Sequence, residues 1–296
     1  MAGSPAYIGR FAPSPSGPLH FGSLIAAVGS YLQAKSQHGK WLVRMEDIDT
    51  PRMVAGIDSD ILRTLEQFGL YWDDSVLYQS QRLERYQQVF NQLHQQQFIY
   101  GCQCSRKQIS EMGGLYNGHC ATLGLTQPPL AWRLRSRGVS SHFTDLVFGQ
   151  QQIDTALANE DYIIKRRDGL FAYQLVVVVD DIDQGITEVI RGADLLQMTP
   201  RQQALCRLLG QQPPGYGHLP LAVAKPGFKL SKQNRAAAIS QWPANQAMAK
   251  VLAFLGQPLP TELQQAEVAE QLRWAIAKWQ LAAIPRQLEI PGTEFV

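Results

Sequence analysis

The sequence predicts an α/β protein built on a parallel sheet. Two observations carry this prediction. Residues 6–49 follow the pattern strand, helix, strand, which places two parallel strands in one sheet with a right-handed connection. Further along, ITEVIRGADLL at residues 186–196 reads as another strand followed by a helix. Because open α/β sheets bind ligands beyond the carboxyl ends of their strands, the loops at that edge are expected to form the site.

The composition is that of a globular protein. Hydrophobic residues make up 45% and charged residues 18% of the 296 residues, which is far from the profile of a disordered chain. No apolar run reaches the ~18 residues of a membrane span, and the first residues lack the features of a signal peptide. We therefore expect a cytoplasmic protein without a membrane partner. The net charge of +2 is too mild to imply nucleic-acid binding, so any RNA contact is expected to be local.

The β-α-β unit can be divided into its elements. AYIGRFAPS reads as a strand that ends in a loop, and HFGSLIAAVGSYLQAKSQHG has helical apolar spacing, with Gly39 as the predicted C-cap. KWLVRMEDID is a strand that turns acidic at its carboxyl end. Two glutamine-rich helices are predicted at about 53–69 and 80–97. The Cys- and Gly-rich stretch from Tyr100 to Pro129 lacks periodicity and reads as an insertion.

The second half of the chain contains a predicted hairpin. YIIKRRDGLFAYQLVVVVDDID, residues 162–183, places its turn at Asp168 and Gly169. Its second arm, LVVVVDD, is a continuous apolar run typical of a central strand that is buried on both faces. Asp194 is the predicted N-cap of the helix that follows ITEVIRG. From about Ile239 the chain is predicted to be mostly helical.

The connection RFAPSPSGPLHFGSL, Arg10–Leu24, is longer and richer in proline than an ordinary strand-to-helix loop. It ends at the start of a helix, where unpaired N–H groups and the helix dipole favour an anion. His20 lies in this first turn, and Gly22 would let a flat ring approach the backbone. The alternative is that His20 is an ordinary surface or packed histidine and that the prolines only stiffen a turn.

A second loop carries positive charge. GFKLSKQ, residues 227–233, places Lys229 and Lys232 three residues apart, so that their ammonium groups could surround a polyphosphate. Taken alone, such a loop is more often plain solvated surface.

Together the two loops resemble the HIGH and KMSKS signatures of the class I aminoacyl-tRNA synthetases. GRFAPSPSGPLHFGSL, RMEDIDTPR, GLFAYQLVVVVDDIDQGITEVIRGADLL and KLSK are similar to blocks of the glutamyl branch, in the same order. Only residues 239–296 follow the KMSKS-like region, where glutamyl-tRNA synthetases continue into a large anticodon-binding region. The chain therefore most resembles the truncated paralogues that attach glutamate to the queuosine base of tRNA(Asp).

The resemblance implies a fold and a set of substrates. The fold is a class I synthetase Rossmann-type parallel sheet with an inserted, zinc-bearing, acceptor-type subdomain and a short C-terminal helical region. We expect residues 1–99 and 186–238 to form the two halves of the catalytic domain, residues 100–185 the insertion, and residues 239–296 the helical region. The implied substrates are L-glutamate, ATP with Mg²⁺, and tRNA(Asp) carrying queuosine. Nothing in the sequence suggests an extended interface helix, so a monomer is expected.

The resemblance also implies which residues form the site. His20, Lys229 and Lys232 are the expected catalytic residues. The expected ATP-binding residues are Pro18, His20, Gly22, Ser23, Lys229, Ser231 and Lys232. The expected glutamate-binding residues are Arg10, Phe11, Ala12, Pro13, Ser14, Glu46, Tyr173 and Arg191. Arginine forks bind carboxylates bidentately, and a carboxylate suits the ammonium of the amino acid. Outside these blocks, Glu46 and Arg191 could instead form surface pairs, and Tyr173 could be a packing residue.

Three cysteines form a candidate zinc site. Cys102, Cys104 and Cys120 have a spacing that suits tetrahedral zinc in a reducing compartment, but the metal needs a fourth ligand. General zinc chemistry nominates His119, whereas the resemblance nominates Tyr116. The alternative is a set of reduced cysteines that binds no metal.

Four functions are therefore compatible with these features. The leading one is glutamylation of queuosine in tRNA(Asp). The others are a glutamyl-tRNA synthetase that charges a tRNA 3′ end, a nucleotidylyltransferase of the same superfamily, and a binding module without chemistry. The blocks that match the glutamate site disfavour the nucleotidylyltransferase, and the retained His20 and loop lysines disfavour the binding module.

Overall fold

The structure is a computed structural model that describes residues 6–225, 228–229 and 238–291. Its strands are β1 (Ile8–Phe11), β2 (Lys40–Met45), β3 (Leu77–Tyr78), β4 (Ile99–Cys102), β5 (Ala131–Leu134), β6 (His142–Asp145), β7 (Gly149–Gln152), β8 (Tyr162–Lys165), β9 (Glu188–Gly192), β10 (Gly215–Leu219), β11 (Leu221–Lys225), β12 (Phe228–Lys229) and β13 (Glu289–Pro291). Its helices are α1 (Phe21–Ser36), α2 (Ile57–Gln67), α3 (Leu83–Gln95), α4 (Arg106–Glu111), α5 (Thr155–Ala158), α6 (Tyr173–Asp183), α7 (Thr199–Leu208), α8 (Ala244–Phe254) and α9 (Val268–Lys278).

The parallel sheet predicted from the sequence is confirmed. β1 pairs in parallel with β2, and β2 pairs in parallel with β3. β9 and β10 form a second parallel pair. The two groups of strands are joined by hydrogen bonds between Thr187 and Ile8. The Thr187 backbone N–H donates to the Ile8 carbonyl at 2.9 Å, and the Thr187 hydroxyl accepts from the Ile8 N–H. The carboxyl ends of β1, β2, β9 and β10 therefore open toward one edge.

Helix α1 packs along this sheet and begins at the anticipated loop. Its buried face joins a core that includes Trp41, whose indole N–H donates to the Ser30 hydroxyl at 2.9 Å. The prediction that Gly39 caps this helix is wrong, because Gln37 is the cap and His38 takes the left-handed conformation at φ 53°. Gly39 is required for a different reason. A Cβ at this position would lie 2.5 Å from the carbonyl oxygen of Tyr7.

The predicted central strand LVVVVDD is wrong, because this segment lies in helix α6. All residues from 175 to 181 are buried, since the helix packs against α3, α7 and β8. A short, wholly apolar run has no periodicity that separates a buried helix from a buried strand. Tertiary burial outweighs the modest helix penalty of consecutive valines, which is well under about 1 kcal/mol each. The helical geometry places Asp180 and Asp181 on different sides of α6.

The predicted turn at Asp168 and Gly169 is present, with Gly169 at φ 88° and the Arg166 N–H donating to the Leu170 carbonyl at 2.8 Å. Only a single bridge between Lys165 and Phe171 follows it, because the second arm becomes α6. The prediction that Asp194 is an N-cap is wrong. A 3₁₀ helix, Ala193–Met198, has Gly192 at that position, and Asp194 lies in its first turn.

The cysteine-rich stretch is attached to an antiparallel sheet. β4, β5 and β8 form this sheet, and β6 and β7 form a separate hairpin. Helix α4 begins with a capping box in which Ser105 and Gln108 bond reciprocally. The division into residues 1–99, 100–185, 186–238 and 239–296 stays a prediction.

The predicted helical character after Ile239 is confirmed for the described residues. Helices α8 and α9 pack on α1, and β13 adds a parallel strand to β11. Across the part of the chain that the structure describes, no helix has the length and apolar character of a membrane span.

Candidate active site and metal centre

A cleft of about 1130 Å³ lies beyond the carboxyl ends of β1, β2, β9 and β10. Its walls contain all eight residues expected to bind glutamate, namely Arg10, Phe11, Ala12, Pro13, Ser14, Glu46, Tyr173 and Arg191. These residues come from β1 and its loop, from the end of β2, from α6 and from β9. The fold thus brings together residues that lie up to 181 positions apart, and the sequence alone could place them only through a resemblance.

The same cleft holds part of the expected ATP site. His20, Gly22 and Ser23 line it, whereas Pro18 is an exposed loop residue outside its lining. Lys229 ends strand β12. Ser231 and Lys232 lie outside the described residues. The structure therefore brings together the HIGH-like half of this site.

His20 is the N-cap of α1. Its Nδ1 accepts a hydrogen bond from the Ser23 N–H at 3.3 Å, and the side chain is 9% exposed. The bond fixes the imidazole at the start of a helix whose dipole favours an anion. His20 thus combines a structural bond with a place on the cleft wall.

The loop after β1 is fixed from both sides. The Phe11 ring is buried and stacks on Trp41 with centroids 6.2 Å apart, so this ring belongs to the core. Two residues after Phe11, the Pro13 carbonyl accepts a 2.9 Å hydrogen bond from the N–H of Glu46, the residue that follows β2. The loop therefore joins the ends of β1 and β2 and offers backbone groups to the cleft.

Arg10 is held by a carboxylate that the sequence reasoning did not single out. Its Nε and Nη2 lie 3.1 Å from the two oxygens of Asp181, and both side chains are buried. The same Asp181 accepts a 2.6 Å bond from Arg44 Nη2. Although burial opposes ionisation, the two guanidinium groups hold the pKa of Asp181 below its usual range. Asp181 thus forms ion pairs with two buried arginines, of which Arg10 lines the cleft.

Glu46 lies at the cleft with its side chain 10% exposed, so the alternative of a surface pair is excluded. The nearest basic group is Arg44 Nε, at 3.9 Å from its Oε1. Burial raises the pKa of Glu46 to about 7, and the attraction of Arg44 and Arg10 only partly opposes this shift. A cationic ligand group at this position would favour the ionised carboxylate.

Arg191 and Tyr173 complete the wall. Arg191 is 4% exposed, so it forms no surface pair. Its Nε donates to His218 at 3.1 Å, and its Nη1 to Gln202 at 2.7 Å. Tyr173 is the first residue of α6, and burial raises the pKa of its phenol, which stays protonated near neutral pH. The cleft thus contains arginine, phenol and carboxyl groups in one place.

A second cavity of about 320 Å³ adjoins the cleft and shares Ser14, Glu46 and Tyr173 with it. Its outer wall holds Asp49 and Arg166, whose oxygen and Nη1 atoms are 3.1 Å apart. Room for a second reactant therefore lies directly beside the expected position of the amino acid.

The three cysteines form a candidate metal centre. The sulfur atoms of Cys102, Cys104 and Cys120 all lie within 4.8 Å of one another, and those of Cys104 and Cys120 are 3.5 Å apart. The buried Arg133 donates from Nε to the Cys102 sulfur at 3.3 Å. A guanidinium at this position suits a cluster of thiolates, so the donor set fits a metal ion.

The two candidate fourth ligands differ in position. Tyr116 is buried in the same cluster, and its hydroxyl accepts a 2.7 Å bond from the Cys120 N–H. The Arg133 guanidinium lies 3.7 Å from the centre of its ring. His119 is exposed, and its backbone N–H bonds the Asn117 side chain. The geometry favours Tyr116.

Sequence reasoning missed several residues that hold the cleft together. The apolar run predicts a strand that includes Asp181, and His218, Thr199 and Gln202 stand in no motif of the sequence. The acidic pair that ends LVVVVDD was a signal for Asp181, because two carboxylates at the end of an apolar run need buried partners. His218 is separated from Asp145 by 73 positions and from Arg191 by 27, so only the fold shows that they touch.

Comparison with known proteins gives the family. The family model described as tRNA synthetases class I (E and Q), catalytic domain, matches residues 8–119 and 127–257. The glutamyl-Q tRNA(Asp) synthetase of Vibrio vulnificus (strain YJ016) is 57% identical over 287 residues, which cover 97% of this chain and 94% of that protein. The chain belongs to the glutamyl-Q tRNA(Asp) synthetase family. The protein of that name from Serratia proteamaculans (strain 568) is 54% identical over 281 residues, covering 95% and 93% of the two chains.

Solved structures support the fold assigned to this glutamyl-Q tRNA(Asp) synthetase family member. The glutamate-tRNA synthetase of Elizabethkingia anophelis superposes with a TM-score of 0.81 at 21% identity, covering 98% of this chain and 69% of that one. A glutamate tRNA ligase from Elizabethkingia meningosepticum CCUG26117, in complex with its amino acid, gives 0.78 at 22% identity, covering 96% and 66%. The chain thus has the class I synthetase α/β fold and spans about two thirds of these two structures.

Proposed function

We propose that this protein activates L-glutamate with ATP and transfers the glutamyl group to the queuosine base in the anticodon of tRNA(Asp). One observation carries the proposal: the eight residues expected to bind glutamate converge on one cleft together with His20 at a helix start. The similarity to proteins named glutamyl-Q tRNA(Asp) synthetase over nearly the whole chain supports the acceptor.

Activation requires positioning rather than a protein nucleophile. An α-carboxylate oxygen of glutamate attacks the α-phosphorus of ATP, and the bond to pyrophosphate breaks. The protein must orient the two reactants and stabilise the charge that develops on the phosphate. We assign phosphate contacts to His20, Lys229 and Lys232, and the remaining nucleotide contacts to Pro18, Gly22, Ser23 and Ser231. Mg²⁺ would accompany the nucleotide.

The amino acid has its own set of partners. Arg10 and Arg191 suit the two carboxylates of glutamate, and Glu46 suits its ammonium group. The loop from residue 11 to residue 14 offers backbone groups, and Tyr173 closes the wall. Arg10 and Arg191 are already held by buried partners. Glutamate binding to them therefore costs little conformational entropy of these side chains.

Transfer requires an acceptor hydroxyl of the queuosine base to reach the adenylate. This oxygen attacks the glutamyl carbonyl carbon, the bond from that carbon to the phosphate oxygen of AMP breaks, and the hydroxyl proton is released together with AMP. The cavity that adjoins the cleft at Ser14, Glu46 and Tyr173 offers room for the acceptor group beside the expected carbonyl. A polar wall with Asp49 and Arg166 suits a hydroxylated base.

For the metal centre we propose one structural zinc ion held by Cys102, Cys104, Cys120 and Tyr116. A bound zinc would tie the segment after β4 to the segment that carries Tyr116 and Cys120. Cytoplasmic location and a monomeric state stay predictions.

The test incubates the protein with ATP, labelled glutamate and tRNA(Asp) prepared with and without queuosine. We expect glutamate-dependent pyrophosphate exchange and label only on the queuosine-containing tRNA. A matched tRNA(Asp) that lacks its 3′ adenosine should still accept label. Label on tRNA(Glu), or a strict need for the 3′ adenosine, would contradict the acceptor and favour a glutamyl-tRNA synthetase.

A further inference from the structure

A fully buried histidine and aspartate stand behind Arg191. His218 is on β10, directly opposite Arg191 of β9 in the parallel register, so both side chains lie on one face of the sheet. Neither side chain of the pair His218 and Asp145 is exposed at all. Burying polar groups is costly unless they are hydrogen-bonded, so the hydrogen-bond partners of this pair indicate its role.

The three residues form a linear chain of hydrogen bonds. Asp145, the last residue of β6, has its Oδ2 2.6 Å from His218 Nδ1. His218 Nε2 lies 3.1 Å from Arg191 Nε. The other carboxylate oxygen, Asp145 Oδ1, accepts 2.9 Å bonds from the backbone N–H groups of Val147 and Phe148. Asp145 is thus fixed by a tight backbone turn.

The donor rules settle which nitrogen carries the proton. A guanidinium has five N–H donors and no acceptor, so His218 Nε2 must accept from Arg191. The proton of the neutral imidazole therefore sits on Nδ1 and points to Asp145. Burial lowers the pKa of His218, and the charge of Arg191 adds to that shift, although Asp145 opposes it. Burial favours the neutral acid, but the bonds from His218 and the backbone lower the pKa of Asp145 overall, so it accepts as a carboxylate.

Three further N–H groups of Arg191 are also occupied. Nη1 donates to Gln202 at 2.7 Å, and Nη2 donates to Thr199 at 2.9 Å and to the Leu195 carbonyl at 3.2 Å. Within the part of the chain that the structure describes, four of the five N–H groups thus have protein partners, and Arg191 lines the cleft. Among the described residues the guanidinium is held in one orientation by these bonds, and one of its donors is left for a ligand.

We propose that His218 is the positioning residue for glutamate recognition: its Nε2, oriented by Asp145 through Nδ1, holds Arg191 so that the guanidinium faces a carboxylate of the bound amino acid. The inference rests on the proposed function, since it takes glutamate as the ligand of Arg191. His218 acts on the ligand through Arg191, directly and through the Thr199 hydroxyl, which lies 3.3 Å from Nε2 and accepts a bond from Arg191. A preoriented arginine binds the carboxylate equally in the ground state and the transition state, so the effect falls on KM.

Two substitutions separate the two ends of the imidazole. His218→Gln can place an amide oxygen near the position of Nε2 and keep an acceptor for Arg191. His218→Asn can place an amide donor near the position of Nδ1 and keep the bond to Asp145, but it leaves Arg191 Nε without its acceptor. In pyrophosphate exchange we expect the Asn variant to raise the KM for glutamate about 10-fold or more, because a hydrogen bond to a charged group is lost. The Gln variant should stay within about threefold, and kcat and the KM for ATP should change little in both.

The opposite order, or equal effects on all three constants, would mean that His218 only supports the fold and would overturn the proposal. If the wild-type protein activates no glutamate, the proposed function fails and the next measurement still tests the geometry. The ¹⁵N spectrum of imidazole groups in the intact wild-type protein should show His218, assigned through contacts with the Tyr216 and Phe143 rings, protonated on Nδ1 and unprotonated on Nε2 at neutral pH. An Nε2–H tautomer, or a doubly protonated ring, would contradict the proposal whether or not the variants fold.

Discussion

Asp181 holds Arg10 through two parallel hydrogen bonds of 3.1 Å, from Nε and Nη2 to the two carboxylate oxygens. Both side chains are about 5% exposed, and the same carboxylate also binds Arg44. One buried carboxylate thus binds two buried guanidinium groups, and one of these, Arg10, lines the cleft.

Asp181→Asn is expected to destabilise the protein by about 3–5 kcal/mol, because the buried Arg10 loses its ion pair and the buried Arg44 loses the carboxylate that binds it at 2.6 Å. Urea unfolding measures this loss. Asp183→Asn is the matched control on the same helix. Its partners Arg82 and Arg85 are partly exposed, so it should cost less than about 1 kcal/mol. Equal losses of unfolding free energy in the two variants would show that the buried ion pairs of Asp181 stabilise the protein no more than the partly exposed pairs of Asp183.

Glu46 predicts a pH dependence for glutamate use. The pKa of this carboxyl is raised to about 7, so the free enzyme gains the carboxylate proposed to bind the ammonium group only as the pH rises through that value. We expect kcat/KM for glutamate in pyrophosphate exchange to increase between about pH 6 and pH 8 and then to level off. Glu46→Gln should flatten the profile and raise the KM for glutamate. A flat wild-type profile would contradict the assignment of Glu46 to the ammonium group.

His20 is the N-cap of α1 and the proposed phosphate contact, and substitution can separate these two roles. His20→Asn keeps a side-chain acceptor for the Ser23 N–H, since Asn is a good N-cap, but it removes the imidazole from the cleft. We expect pyrophosphate exchange to fall about 100-fold or more with thermal stability nearly unchanged. His20→Ala should lose activity to the same extent and about 1 kcal/mol of stability besides. An active Asn variant would show that His20 matters only as a cap.

The metal centre can be tested by measuring bound zinc. Cys102→Ser should lower the metal content sharply, and Tyr116→Phe should lower the affinity, because one of four ligands is lost. His119→Ala is the control and should bind zinc like the wild type, since His119 is exposed outside the cluster. Zinc binding that is normal in Tyr116→Phe and weakened in His119→Ala would identify His119, and not Tyr116, as the fourth ligand.

Much of the local structure could be read from the sequence. The β-α-β unit and the glutamine-rich helices follow from periodicity, and the start of α1 follows from its loop. The secondary-structure prediction fails where a segment is buried on all sides, because its apolar residues then show no periodicity. LVVVVDD is apolar on every side whether it forms a strand or a helix, and only its neighbours α3 and α7 decide for the helix. Local rules predict Gly39 as a C-cap and Asp194 as an N-cap. In the structure, a glycine is needed at position 39 because of the close contact with Tyr7, and Gly192 takes the N-cap position predicted for Asp194.

The sequence by itself determined the chemical inventory of this protein: a helix start with His20, two arginines and a carboxyl group that suit an amino acid, and three cysteines that suit a metal. It also indicated the family through blocks in a recognisable order. Only the tertiary structure decided how these groups are held. Asp181 meets Arg10 across 171 positions, and His218 meets Asp145 across 73, because contacts between distant elements depend on how strands and helices pack and leave no periodic trace along the chain.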